Sequence, residues 1–219
     1  YATDARNMAV WTLHNAARYA WVGTEGPVVV FDFHGCGHVC AGLETVDEIR
    51  PATSWFFFGA GPACEARASR WAKEIAELVR QHGGGNRRLA IDHCDPLGLD
   101  ALRAEGVSVV EGQEVMERTR AVKTREEVKA MRHAIAAADA GMRAMEENLV
   151  PGVTENALWA WLHHENIARD GEWIETRLLT AGPRTNPWFR ECGPNPIEKG
   201  DIVTFDTDLI GPYGYCADI

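Results

Sequence analysis

Three aspartates near the end of the sequence carry its clearest chemical signal. Asp206, Asp208 and Asp218 stand in the stretch GDIVTFDTDLIGPYGYCADI, residues 200–219. Asp206 and Asp208 are two apart, so on a strand their side chains leave the same face. The turn residues Gly211 to Gly214 then fold Tyr215–Asp218 back as a partner strand, which brings Asp218 opposite the first pair. Three carboxylates on one face repel one another and are costly to bury without a cation. Hard oxygen donors in such a group suit a divalent metal. The bland reading is a hairpin with solvated aspartates. Against it stand the apolar neighbours Ile202, Val203, Phe205, Leu209 and Ile210, which make this a buried strand.

Other groupings of metal-binding residue types are weaker. His34-Gly-Cys36-Gly-His38-Val-Cys40 alternates His and Cys along one segment. Ligands spaced two apart on one extended strand do not easily wrap a tetrahedral ion. A glycine-rich hairpin with small buried residues is the better expectation there. His93-Cys94-Asp95 reads as a turn after a strand. His163 and His164 are adjacent on a helix and diverge by about 100°, so they are not expected to share a ligand.

The elements that would carry these residues fall into two halves. In the first, Pro27–Phe33 is β-branched and aromatic, a strand signal. Ser54–Phe58 is a second apolar run. Cys64, Ala68, Trp71, Ile75, Leu78 and Val79 lie on one face of a long helix stopped by Gly83-Gly-Gly85. Leu89–Ile91 is a strand ending in Asp92, Pro96 opens a short helix, and Val107–Val110 is another strand. Alternation of this kind predicts an α/β layer with a mixed or parallel sheet. In the second half, Thr124 and Glu127 are spaced as a capping box for a long helix. Its expected apolar stripe is Val128, Met131, Ile135, Ala138, Met142 and Met145. Pro151-Gly152 ends it, and Thr154 caps the next helix, with Ala157, Leu158, Trp161 and Leu162 inward. Trp173–Thr180 and Asp201–Ile210 read as β. The boundary falls near residues 112–123.

Bulk properties narrow the class. Of 219 residues, 22 are Lys or Arg and 32 Asp or Glu, giving a formal charge of −10. A nucleic-acid-binding surface is normally basic, so none is expected. No apolar run is long enough for a membrane span. The six cysteines are scattered through core-like segments, unlike a disulfide scaffold. No signal peptide is visible, so a cytoplasmic location is the default expectation.

The ordered set of motifs resembles the pita-bread metalloenzymes, the family of creatinase, prolidase and methionine aminopeptidase. Lys199-Gly-Asp-Ile-Val-Thr-Phe-Asp206, followed by Tyr215-x-x-Asp218-Ile219, is similar to that family's metal-binding strands. Arg120-x-x-Lys123-Thr-x-Glu-Glu127-x-x-x-Met131-Arg132 is similar to the linker entering its catalytic domain, and Pro151-Gly-Val-Thr-Glu155 to the turn between its first two helices. Val46-Asp-Glu-Ile-Arg50 and Leu89-Ala-Ile-Asp92 resemble the creatinase-type N-terminal domain. The resemblance implies an α/β (α+β) chain with a creatinase-like domain over 1–118 and the first part of a pita-bread catalytic domain over 119–219. The chain starts at Tyr1 without an initiator Met and stops directly after Asp218 and Ile219. Both halves are therefore expected to be pieces of a longer protein.

Two departures from the family refine the expectation. The usual Asp-x-Gly is Asp206-Thr-Asp208 here, and the upstream histidine common in the peptidases is absent from Thr180-Ala-Gly-Pro-Arg-Thr-Asn-Pro-Trp188-Phe-Arg-Glu191. Both look like the dimethylsulfoniopropionate lyases of the DddP type. That resemblance implies a β-elimination giving dimethyl sulfide and acrylate, with Asp206, Asp208 and Asp218 all binding a divalent metal (Fe, Mn, Zn or Co). It places a further His, two Glu and the catalytic base beyond residue 219, so this stretch alone is expected to be inactive. It also implies a small-molecule substrate and a homodimer. Eight tryptophans are many for this length. Aromatic faces attract a sulfonium, and Trp188 and Trp55 are the candidates, ordinary packing being the alternative for each. The competing functions are an Xaa-Pro dipeptidase or creatinase-like metallohydrolase of the same fold, and a non-catalytic binding module that has lost its metal.

Overall fold

The structure is a computed structural model describing residues 3–6, 8, 12 and 17–219. It divides into two compact units, Tyr1–Val122 and Lys123–Ile219.

The first unit contains two small sheets. In one, β1 (Tyr19–Val22) runs antiparallel to β2 (Val28–Asp32), which runs parallel to β3 (Glu48–Pro51). The other pairs β4 (Arg88–Ile91) with β5 (Ser108–Glu111) in parallel. A parallel pair needs a long crossover, usually a helix, and α3 (Pro96–Ala104) supplies it between β4 and β5. The apolar run at 54–58 does not continue the sheets. Phe57–Ala60 forms a one-turn helix, α1, and leaves Phe57 and Phe58 exposed. The core instead collects around α2 (Cys64–His82), whose buried face is Ala68, Trp71, Ala72, Ile75, Ala76, Leu78 and Val79. Val29, Phe31, Leu102 and Val107 close over it. The unit ends with α4 (Gln113–Ala121), an exposed helix without a buried residue.

In the second unit, α5 (Arg125–Asn148) begins at the Thr124 capping box, both halves of which are formed. The Glu127 carboxylate also accepts from the Tyr215 hydroxyl at 3.0 Å. The buried face of α5 is Ala134, Ala137, Ala138, Gly141 and Met145, while Val128 and Ile135 are largely exposed. Ala138 and Met145 of the expected stripe are buried, while Val128 and Ile135 give way to the small residues Ala134, Ala137 and Gly141. The cause is the close approach of α6 (Glu155–Ile167): a Cβ on Gly141 would lie 2.4 Å from Leu162. Ala157 is exposed, whereas Leu158, Trp159 and Leu162 face inward.

Two antiparallel groups lie in the same unit. β7 (Leu179–Ala181) pairs with β8 (Val203–Phe205). β9 (Leu209–Ile210) lies between β6 (Trp173–Ile174) and β10 (Cys216–Ala217). The segment expected as one strand over 201–210 thus breaks at 206–208, where the chain leaves one sheet and enters the other. Buried Asn166 ties α6 to this arrangement by donating to the Ile210 carbonyl at 3.1 Å.

Candidate metal centre

Asp206 and Asp208 sit in the break between β8 and β9, and Asp218 follows β10. An oxygen from each can be chosen so that all three lie within 4.8 Å of one another. Strand alternation, the expected means of convergence, is not what brings the first two together. Asp208 has φ +36°, in the left-handed region that Asp tolerates better than most residues. This kink turns its carboxylate back beside Asp206. Asp218 arrives through the tight turn at Pro212–Gly214 and the antiparallel register Cys216↔Ile210, Ala217↔Leu209.

Backbone and hydroxyl contacts hold the three in place. The Asp206 N–H donates to the Leu178 carbonyl at 3.0 Å, and the Asp208 carbonyl accepts from Glu175 N–H at 3.0 Å. The Thr176 hydroxyl donates to the Asp208 carboxylate at 2.7 Å. Thr207, between the two aspartates, points the other way and is fully buried. Its hydroxyl accepts from Ile219 N–H at 2.8 Å and donates to the Ala217 carbonyl at 3.4 Å. These bonds staple the chain on both sides of Asp218 to the kink. Neither threonine stood out in the sequence.

The carboxylates pay for their closeness in proton affinity. The Asp206 carboxyl is pushed from 3.8 up to about 6, first by its hydrogen bond with Asp218, then by burial and the negative charges of Asp208 and Asp218. Only the Thr207 backbone N–H works in the opposite direction. Among the described residues, no cationic side chain lowers the proton affinity of Asp206. An all-oxygen donor set with unrelieved negative charge fits a divalent cation. Among the described residues this is the one group of three or more His, Cys, Asp or Glu side chains placed to hold a metal. The His34–Cys40 segment is not such a group. It forms a 3-10 turn over Cys36–Val39 rather than a hairpin. All six cysteines are free.

The aromatic candidates have separate settings. Trp55 is 4% exposed in the core of the first unit, packed on Trp71 with ring centroids 4.3 Å apart. Its indole N–H donates to Asp95, the N-cap of α3, at 2.5 Å. Trp188 is half-buried in the loop after β7, next to Phe189, which is 78% exposed. The returning limb of this loop lies against the residues just before β7: Cys192 N–H donates to the Arg177 carbonyl, and Leu178 bridges to Glu191. Leu178 also accepts from Asp206 N–H, so it lies between the returning limb on one side and Asp206 on the other.

Residues 129–219 match metallopeptidase family M24. The whole chain is 45% identical to a protein named dimethylsulfoniopropionate lyase DddP from Roseovarius nubinhibens, covering 50% of that protein. It is 43% identical to a second protein of that name from Roseobacter denitrificans, again covering 50%. The chain thus spans about half the length of these curated relatives. Among solved structures, the fold matches an Xaa-Pro dipeptidase from Bacillus anthracis with TM-score 0.73 at 19% identity, over 99% of this chain and 56% of that one. It also matches a prolidase from Pyrococcus horikoshii with TM-score 0.72 at 15% identity, over 100% and 57%.

Proposed function

From the metallopeptidase family M24 domain over residues 129–219, we propose that this chain is part of a metal-dependent lyase that converts dimethylsulfoniopropionate to dimethyl sulfide and acrylate. The observation carrying the reading is the Asp206, Asp208, Asp218 cluster, in which Asp208 stands where the family resemblance implies glycine. The similarity to proteins named as dimethylsulfoniopropionate lyases supports the substrate.

The reaction is a β-elimination. A base takes a proton from the carbon next to the carboxylate. The electron pair left behind forms the carbon–carbon double bond, and the β carbon–sulfur bond breaks toward sulfur. The products are neutral dimethyl sulfide, acrylate and the proton on the base. Asp206, Asp208 and Asp218 would hold a divalent cation of the Fe, Mn, Zn or Co type. When bound, it supplies Lewis-acid stabilisation of negative charge developing at the substrate carboxylate. Thr176 and Thr207 fix the carboxylate geometry. The Trp188 ring offers a π-face to the sulfonium. The base and the remaining ligands belong to the rest of the protein, and a homodimer is the proposed assembly.

A second reading is an Xaa-Pro dipeptidase, favoured by the fold similarity to such enzymes. The full-length metal-loaded protein separates the two. Release of headspace dimethyl sulfide, lost on chelation and without cleavage of a Gly-Pro dipeptide, supports the lyase. Dipeptide cleavage without dimethyl sulfide overturns it.

A further inference from the structure

Glu155 is fully buried in the first turn of α6, yet it takes no part in the aspartate cluster. Its two carboxylate oxygens accept four hydrogen bonds. Oε1 receives the Ala181 N–H at 3.0 Å and Arg184 Nε at 3.0 Å. Oε2 receives the Gly193 N–H at 2.9 Å and Asn195 Nδ2 at 3.2 Å. The donors divide by position in the chain. Ala181 and Arg184 belong to the outgoing limb of the loop after β7, and Gly193 and Asn195 to its returning limb. Arg184 adds a second tie across the neck by donating to the Glu191 carbonyl at 2.9 Å. One buried carboxylate therefore closes the base of a loop whose tip is Trp188 and Phe189. At that tip Phe189 is exposed and held at φ +65°, a conformation disfavoured for a bulky residue. Such a conformation persists only where the surroundings impose it.

We propose that Glu155 is a positioning residue that clamps the neck of the 182–195 loop, so that Trp188 and Phe189 stand as a preformed aromatic wall at its tip. The use made of that wall, contact with the onium group of the substrate, rests on the lyase reading above. The clamp itself does not. A preformed loop lowers the ordering cost of substrate binding, so its loss raises KM more than it lowers kcat.

The test uses the full-length metal-loaded protein and Glu155→Gln. This change keeps the side-chain volume but turns one acceptor oxygen into a donor, facing N–H groups already aimed at it. Hydrogen exchange over 181–195 is expected to speed up by about tenfold or more, because the converted oxygen loses both of its buried hydrogen bonds. Exchange in α5 and the bound metal should stay as in the wild type. KM for dimethylsulfoniopropionate rises by a similar factor, with kcat within about twofold. Arg184→Met removes two of the ties and leaves three donors on Glu155. It should show the same pattern more weakly, and it decides the matter if Glu155→Gln does not fold. Unchanged exchange over 181–195, or a fall in kcat at unchanged KM, overturns the proposal. If the wild type releases no dimethyl sulfide, the lyase reading fails, and the clamp stands or falls on exchange alone.

Discussion

Replacing Thr207 by Val tests whether the kink between β8 and β9 builds the metal centre. Valine matches threonine in shape, so the fully buried pocket stays filled. The loss is the hydroxyl that accepts from Ile219 N–H at 2.8 Å and donates to the Ala217 carbonyl at 3.4 Å. The first bond has normal length and the second is long. Together they are worth about 1–2 kcal/mol. Both bonds flank Asp218 and neither touches the carboxylates. Their loss should thus appear as a less well-placed third ligand, weakening metal binding by about 5- to 30-fold. That range overlaps the usual effect of removing an outer-shell partner. The assay is chelator competition on metal-free full-length protein, with Thr207→Ser, which keeps the hydroxyl, as control. Wild-type affinity in Thr207→Val would refute the reasoning. So would an equal loss in Thr207→Ser.

The raised Asp206 carboxyl gives the metal-free protein a definite pH dependence. Between 3.8 and about 6 the folded chain keeps a proton that the unfolded chain has released. Its contribution to stability is therefore complete below that window and lost as pH rises through it. The melting temperature should fall from pH 4 to 6.5, and Asp206→Asn should flatten the slope. A bound cation competes for the same carboxylate, so metal affinity should drop below pH 6. Trp55→Phe removes the hydrogen bond to Asp95 and should cost the first unit about 2 kcal/mol in denaturant unfolding, with KM for dimethylsulfoniopropionate unchanged. Gly171→Ala would put a Cβ 1.8 Å from the Asn166 side chain. It should destabilise the second unit by about 1–3 kcal/mol, read as a lowered melting temperature.

The parts of the fold legible in the sequence are those fixed by local chemistry. The Thr124 and Glu127 spacing marked the start of α5 because a capping box satisfies two backbone N–H groups within one turn. The face of α2 was legible because one large stripe, from Ala68 to Val79, packs on one core. The burial of α5 was legible only in part: Ala138 and Met145 are buried as expected, but how closely α6 approaches is a tertiary property. It selected Ala134, Ala137 and Gly141 over Val128 and Ile135. Ser54–Phe58 was legible only as an apolar run, because apolar content alone does not separate a strand from an exposed turn of helix. At the candidate centre, the residue types and the returning turn identified Asp206, Asp208 and Asp218. The kink at Asp208 was hidden, because the apolar residues on both sides of Asp206-Thr-Asp208 read as one strand and give no sign that the chain changes sheets there. Glu155 was hidden for another reason: its four donors lie between 26 and 40 residues further along the chain.

Anomalous diffraction at the metal absorption edge, from crystals of the full-length protein, tests the central claim most directly. The account predicts a peak about 2.0–2.6 Å from an oxygen of each of Asp206, Asp208 and Asp218. A metal bound elsewhere, or one that leaves Asp208 outside its coordination shell, would contradict it.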